Sequence, residues 1–141
     1  MFTTSLVVLT IVILGYSLIP VLADFNKTHA TNPLWTGHAR YHVVWQVCSY
    51  VGIGIISLGL LWIPGDGQQL RAHLVAALAL CIYGGFFTAA ATMRLYDGKL
   101  NDTNGWPSIA LPGGRSIDRN LAVFIPLTVL LFTGWALLAA S

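Results

Sequence analysis

The sequence predicts an all-α integral membrane protein, a bundle of four spanning helices. Of its 141 residues, 56% are hydrophobic and only 9% are charged. A soluble domain carries roughly 25% charged residues. Four apolar segments, at about 5–23, 37–63, 70–95 and 119–140, are each long enough to cross a bilayer. We expect them to form one domain that covers residues 1–141.

The first two segments have recognisable ends. No Lys or Arg precedes the first segment, so we interpret it as a retained spanning helix rather than a signal peptide. Thr36 is the predicted N-cap of the second helix, and the run Pro64-Gly-Asp-Gly67 is expected to stop it. Gly52 and Gly59 are expected to allow close approach of neighbouring helices.

The third segment, the longest loop and the fourth segment complete the chain. Gly84, Thr88 and Thr92 lie four residues apart and predict a small-residue seam for packing in the core. The loop 96–118 is rich in polar residues, and its aromatic residue and prolines favour an ordered cap. The fourth segment contains Pro126, which a membrane helix tolerates.

The distribution of basic residues predicts an orientation. Four spans place both termini and the short 64–70 turn on one side, together with Arg71. The other basic residues fall on the side of the two long loops: Lys27, Arg40, Arg94, Lys99, Arg115 and Arg119. By the positive-inside rule the long loops are cytoplasmic and the termini outside, and we expect a bacterial inner membrane with membrane lipid around the helices.

Composition excludes several classes of protein. There is no glutamate, which argues against a carboxylate-bridged di-iron bundle because such a site needs several inward-facing glutamates. The net charge of +2 is too small to imply a nucleic-acid partner. Cys48 and Cys81 both lie in apolar segments and are expected to be unpaired.

The residues 35–46 hold the densest group of candidate functional side chains. On a helix His38, His42 and Gln46 follow one another at intervals of four and share one face. Such groups at the edge of a bilayer are costly unless they are used, although an interfacial anchor with satisfied polar groups is the simpler interpretation. His29 lies in the preceding loop, where flexibility would blur ligand geometry, and His73 is expected to be interfacial.

His38 and His42 lie near the start of the second predicted helix, where the helix dipole favours the neutral imidazole. Neutral imidazole is the form that binds metal. A structural zinc site needs four ligands, and no spacing in the chain closes one. A haem iron needs one axial imidazole and a large apolar slot. His42, one turn deeper than His38, is the better ligand. Candidate residues for lining the slot are Val43, Val47, Leu80, Phe86 and Phe87. Candidates for binding propionates are Arg40, Arg94, Arg115 and Arg119, whose alternative role is membrane anchoring.

The stretch Ala39-Arg-Tyr-His42 resembles the Ala-Arg-x-His element of the bacterial styrene oxide isomerases. Gly85-Phe-Phe87 is similar to that family's Gly-Phe-Tyr, and Pro112-Gly-Gly-Arg115 followed by Asp118 is similar to its Pro-Asn-Arg and later Asp. The resemblance implies a four-helix membrane enzyme and a homotrimer with haem b at the subunit boundary. It further implies that His42 binds the iron and that the ferric iron is a Lewis acid opening an epoxide to an aldehyde.

Two positions depart from that family. Its tyrosine in the third helix falls on Phe87, and its asparagine two turns beyond the ligand histidine falls on Cys48. Both family residues help to position the epoxide. The resemblance therefore implies haem binding more directly than it implies the substrate or the reaction.

Three functions follow from these patterns. The first is a haem-dependent membrane isomerase acting on a lipophilic epoxide. Its residues would be His42 as iron ligand, Arg40, Arg115 and Gln46 near the cofactor, and Tyr41, His38, Tyr83 and Asn104 as groups that orient the substrate. The second is a haem-free isomerase or epoxide hydrolase, with His38 or His42 as general acid and Asp24 or Asp118 as its partner. The third is a non-enzymatic membrane subunit.

Overall fold

The computed structural model describes residues 1–141 and contains four long α-helices. They are α1 (Phe2–Asp24), α2 (Gly37–Trp62), α3 (Gln68–Thr92) and α4 (Arg119–Ala139), and a 3-10 turn, Met93–Leu95, extends α3. All four are long and apolar enough to cross a membrane. The predicted set of four apolar helices of spanning length is thereby confirmed, although the chain is mostly helical rather than all-α, because the second long loop contains a short hairpin.

Helix α1 is the centre of the bundle, because it packs more extensively against the other helices than any of them does. Its side chains Leu9, Val12, Ile13 and Tyr16 are fully buried. In the most apolar 18-residue stretch of each helix, 44% of the stretch is buried in α1 but only 17% in α2. Helix α2, which carries the candidate histidines, therefore presents most of its surface outward.

Two tyrosine hydroxyls join the helices inside the core. The Tyr16 hydroxyl donates to Ser57 Oγ at 3.1 Å and links α1 to α2. The Tyr83 hydroxyl donates to the Val12 carbonyl at 2.8 Å and links α3 to α1. A phenol surrounded by apolar side chains needs such a partner for its polar end, so both residues serve the packing of the bundle.

The glycines that allow close packing differ from those expected. A Cβ on Gly54 would lie 2.6 Å from Ser17 Cβ, so α1 and α2 meet closely at that point. Gly52 has no neighbour within 4 Å, and Gly59 meets only Ile63, which follows the end of its own helix. The expectation for Gly52 and Gly59 is wrong because both point away from the other helices.

The small-residue seam of α3 also faces outward. Gly84 has no neighbouring atom within 4 Å of an added Cβ, and Thr88 is exposed. Core packing by this seam within one chain is therefore wrong. The seam remains available for contact with lipid or with another copy.

Both long loops lie at one end of the bundle, where hydrogen bonds join residues about 70 positions apart. The second loop contains a short antiparallel hairpin, β1 (Ile109–Leu111) and β2 (Arg115–Ile117), connected by a 3-10 turn at Pro112–Gly114. The expected ordered cap is thus present, although its strands were not predicted.

Candidate functional site

An amide pair fastens the two loops to each other. Asn32 Nδ2 donates to Asn104 Oδ1 at 3.0 Å, and Asn104 Nδ2 donates back to Asn32 Oδ1 at 3.1 Å. Asn104 Nδ2 also reaches the Lys27 carbonyl at 3.1 Å. Asn32 is fully buried, so the structure gives Asn104 a clear role in holding the first loop against the second.

A histidine–carboxylate pair lies beside this amide pair. His29 Nδ1 is 3.5 Å from Asp24 Oδ1 and 2.8 Å from Thr28 Oγ1. Thr28 Oγ1 donates to Asn26 Oδ1 at 2.7 Å, which leaves this hydroxyl an acceptor for an Nδ1–H of His29. That arrangement selects the tautomer in which Nε2 is unprotonated and basic. His29 is therefore held by defined contacts with Asp24 and Thr28.

The His29 ring borders two cavities at the loop end. The smaller, of about 60 Å³, lies between the two loops and the start of α4. Its polar lining includes Asp24, Thr28, His29, Asn101, Asp102, Asp118, Arg119 and Asn120. The wider and more open one, of about 520 Å³, is bordered by His29, Trp35, Asp97, Lys99 and Asp102. His29 and Asp102 thus contribute to both spaces.

Asp102 is fixed by the indole of Trp35. Trp35 Nε1 donates to Asp102 Oδ2 at 2.6 Å, and the Trp35 ring meets the His29 ring edge to face at 5.1 Å between centroids. The hydrogen bond from Trp35, aided by Thr103 and Asn104, lowers the pKa of the Asp102 carboxyl. Asp102 therefore remains anionic next to the cavities in neutral solution.

The face predicted for α2 is present and points outward. Thr36 Oγ1 accepts a hydrogen bond from Ala39 N at 3.2 Å, which confirms the predicted N-cap. One turn apart, His38 Nε2 and His42 Nε2 lie 3.0 Å from each other, and both side chains are exposed. Further along this face Gln46 Nε2 donates to the Tyr50 hydroxyl at 3.2 Å.

Aromatic rings flank His42 on the same surface. Ring centroids of Tyr41 and Trp45 each lie 5.8 Å from that of His42. The two aromatic side chains are 63% and 58% exposed. The imidazole thus stands between flat apolar rings on a helix surface that no other part of the chain covers.

The remaining predicted residues are dispersed. Tyr83 is fully buried in the core, whereas His42 is on the outer surface, so the two do not face a common space. Arg40 is half-buried. Arg115 is exposed in β2, and Asp118 caps α4 through Asn120 N at 2.8 Å.

The residues expected to line a haem slot pack within the bundle. Val47 is fully buried, and Phe86 stacks on Phe124 with ring centroids 4.2 Å apart. Their apolar surface is used for helix packing, so a large flat ligand next to His42 would lie on the outer face of α2.

The sequence reasoning missed the pairing of His29 with Asp24. Its signal was the density of Asp, Asn, Thr and His at 24–32, a composition that favours side-chain hydrogen bonds to local backbone.

Comparison with known protein families, with curated proteins and with solved structures gives no match. The four helices that are long and apolar enough to cross a membrane indicate the class, an integral membrane protein.

Proposed function

We propose that this protein is a membrane-bound, haem-dependent isomerase of lipophilic epoxides, with His42 as the iron ligand. The observation that supports this most directly is the position of His42, exposed on the outer face of a spanning helix. An imidazole facing lipid is costly and marks a functional site by default. The resemblance of residues 39–42 to styrene oxide isomerases supports the same ligand.

The residues on this face fit a haem group. His42 offers one imidazole, and the exposed rings of Tyr41 and Trp45 offer flat apolar surface beside it. His42 Nε2 shares a hydrogen bond with His38 Nε2. Because the His38 side chain is exposed, it can turn away without disturbing the core. Haem b bound here would supply a ferric Lewis acid for the epoxide oxygen.

The chain's own groups would bind and orient the substrate. A lipophilic epoxide would enter from the bilayer and rest against Tyr41 and Trp45, which are exposed next to His42. The Tyr41 hydroxyl is a hydrogen-bond donor able to hold the epoxide oxygen as its C–O bond breaks. A second copy of the chain would cover this open face, and the resemblance favours a homotrimer.

The test is a pair of histidine variants of the purified full-length protein. His42→Ala is expected to lose the Soret band and epoxide isomerisation together, whereas His38→Ala keeps the band. His73→Ala is the control, because His73 Nδ1 accepts a 2.9 Å hydrogen bond from Trp135 Nε1 in a different part of the bundle. A His42→Ala protein that retains both band and turnover, or a colourless active wild type, would overturn the proposal.

A haem-free epoxide hydrolase or isomerase is the second candidate, and the Asp24–His29 pair favours it. This is the one contact between a histidine and a carboxylate in the structure, so the chemistry expected of His38 or His42 is better placed on His29. Nε2 of His29 would take a proton from water as its oxygen bonds to an epoxide carbon. The broken C–O bond leaves its electrons on oxygen, which is protonated from solvent to give a diol. Asp24 stabilises the His29 imidazolium, which then returns its proton to solvent.

The two candidates are separated by a further pair of variants. If the second is correct, colourless protein is active, and His29→Gln and Asp24→Asn each lose roughly 100-fold or more in turnover, the usual contribution of general acid–base catalysis. If the first is correct, both variants keep the Soret band and most of the isomerase activity. Activity that depends on His42 and on bound haem excludes the second candidate.

A further inference from the structure

The hairpin before α4 has one apolar face that the rest of the chain leaves uncovered. Its register sets Ile109 opposite Ile117 and Leu111 opposite Arg115. Directly opposed residues, and alternate residues along a strand, point to the same side. These four side chains therefore share one face. Ile109 and Leu111 remain 38% and 41% exposed.

The hairpin is attached at its base to the first turn of α4. Arg119 Nε donates to the Pro107 carbonyl at 2.8 Å just before β1. The Arg119 guanidinium also lies 5.7 Å from the centre of the Trp106 ring. Asp118, directly after β2, caps α4. A three-residue strand is only ~10 Å long, so the hairpin stays close to the end of the spanning helix.

Little within the chain stabilises this hairpin. The strands pack mainly on each other, and the tip glycines Gly113 and Gly114 have no neighbour within 4 Å of an added Cβ. An isolated two-stranded hairpin is marginal in water. A surface that covers its apolar face would stabilise the hairpin.

We propose that this surface is the bilayer itself, and that the hairpin is a lipid-docking element that binds anionic phospholipid through Arg115. The apolar face would lie among the headgroups, with Arg115 at its end paired to a lipid phosphate. Charge complementarity supports a lipid occupant, because six of the seven basic residues, against four of the five acidic ones, belong to the loop end and leave it net positive. Trp106, 54% exposed beside Arg119, is the residue type that favours the membrane interface.

This inference gives Arg115 a lipid partner instead of the haem propionate suggested by the sequence. It does not depend on the proposed function, because neither haem nor substrate takes part in it. The lipid would hold the second loop at the bilayer surface, and through the Asn32–Asn104 pair it would hold the first loop as well.

Hydrogen–deuterium exchange of the full-length protein tests the proposal. The protein is placed in detergent, in nanodiscs of phosphatidylcholine, and in nanodiscs that also contain phosphatidylglycerol. Peptides covering 109–117 are expected to exchange fastest in detergent and slowest with phosphatidylglycerol. Helical peptides of α1 serve as the internal reference for intact folding.

Variants of each face make the test specific. Leu111→Ser is expected to lose protection in both bilayers. Arg115→Gln is expected to reduce about fivefold the extra protection from exchange that phosphatidylglycerol gives, which is the effect of one basic residue near an anionic surface. Arg115→Lys is expected to retain that extra protection. Ser116→Ala changes the opposite face and is expected to behave as the wild type.

Two results would overturn the proposal. One is equal exchange of residues 109–117 in detergent and in both bilayers. The other is protection that appears only in discs holding two or more copies of the protein, because the face would then be an interface between chains.

Discussion

Asn32 and Asn104 form a reciprocal pair of side-chain hydrogen bonds, 3.0 and 3.1 Å long, between loops 72 residues apart in sequence. Within the pair each amide donates one N–H and accepts one. The second N–H of Asn32 goes to the Thr28 carbonyl and that of Asn104 to the Lys27 carbonyl, so both amide groups are satisfied within the chain. Because Asn32 is fully buried, the pair is the polar centre of the loop end. The pair joins the first loop to the second beside the cavities.

Asn104→Ala is expected to lower stability by about 1–3 kcal/mol, the usual cost of leaving a buried polar group unsatisfied. The Asn32 amide would lose both bonds to its partner, and the two loops would separate. Thermal unfolding followed by circular dichroism gives the stability, and hydrogen exchange in residues 97–107 gives the local effect. Asn101→Ala is the control, since Asn101 is exposed, and an equal effect of both changes would contradict this role.

A matched pair of glycines tests the packing of α1 against α2. Gly54→Ala is expected to destabilise by about 1–3 kcal/mol through overpacking, because its Cβ would fall 2.6 Å from Ser17 Cβ. Gly52→Ala is expected to be neutral or slightly stabilising, since that position is open. The measurement is the thermal midpoint of each variant in the same detergent. A larger loss at Gly52 than at Gly54 would contradict the arrangement of the helices.

The bond between Trp35 and Asp102 predicts a pH dependence at the loop end. The hydrogen bond lowers the pKa of Asp102 from its ordinary value of 3.8. A group whose pKa is lowered on folding stabilises the fold above its unfolded-state pKa, and loses that contribution as the pH falls through the folded-state pKa. The indole N–H resonance of Trp35 is therefore expected to shift and broaden only in acid, below about pH 3.8.

Asp102→Asn is expected to abolish this transition, because the amide does not titrate in that range. Asp97→Asn is the control: Asp97 has a φ of 52°, a conformation that asparagine accepts readily. An unchanged acid transition in Asp102→Asn would assign the titration to a different carboxyl.

The helices were predictable from sequence because hydropathy and the limits set by Pro64, Gly65 and the Thr36 cap are local signals. The partners of individual residues were not. Gly52 and Gly54 differ by two positions in one apolar helix, and only the rotation of α2 about its axis decides which of them meets Ser17. That rotation is a tertiary property with no local signature.

The candidate site likewise has features that were predictable from the sequence and features that were not. The shared face of His38 and His42 was predictable, because it follows from the helical period alone. The contacts of Asn104 and Asp102 were not, since they join loops about 70 residues apart. His29 was undervalued because a loop histidine gives no periodic pattern, although its neighbours Asn26 and Thr28 are residues that fix loops by side-chain hydrogen bonds.

The last prediction concerns assembly. No other helix of the chain covers Gly84 in the seam of α3 or the exposed polar face of α2. In lipid, small residues and polar groups promote contacts between helices. We therefore expect the haem-loaded protein in mild detergent to have a mass near three times 15.2 kDa, after the detergent is subtracted.

Gly84→Leu tests the seam as the contact. The added side chain finds no atom of its own chain within 4 Å of the Cβ, so the bundle is expected to fold with unchanged helicity while the trimer dissociates. Ala136→Leu is the matched control on α4, at an exposed position that belongs to neither the α3 seam nor the α2 face. Light scattering coupled to size exclusion measures the mass, and the Soret band shows whether haem remains. A wild-type monomer that still holds haem would contradict the trimer, and a trimeric Gly84→Leu would place the contact elsewhere.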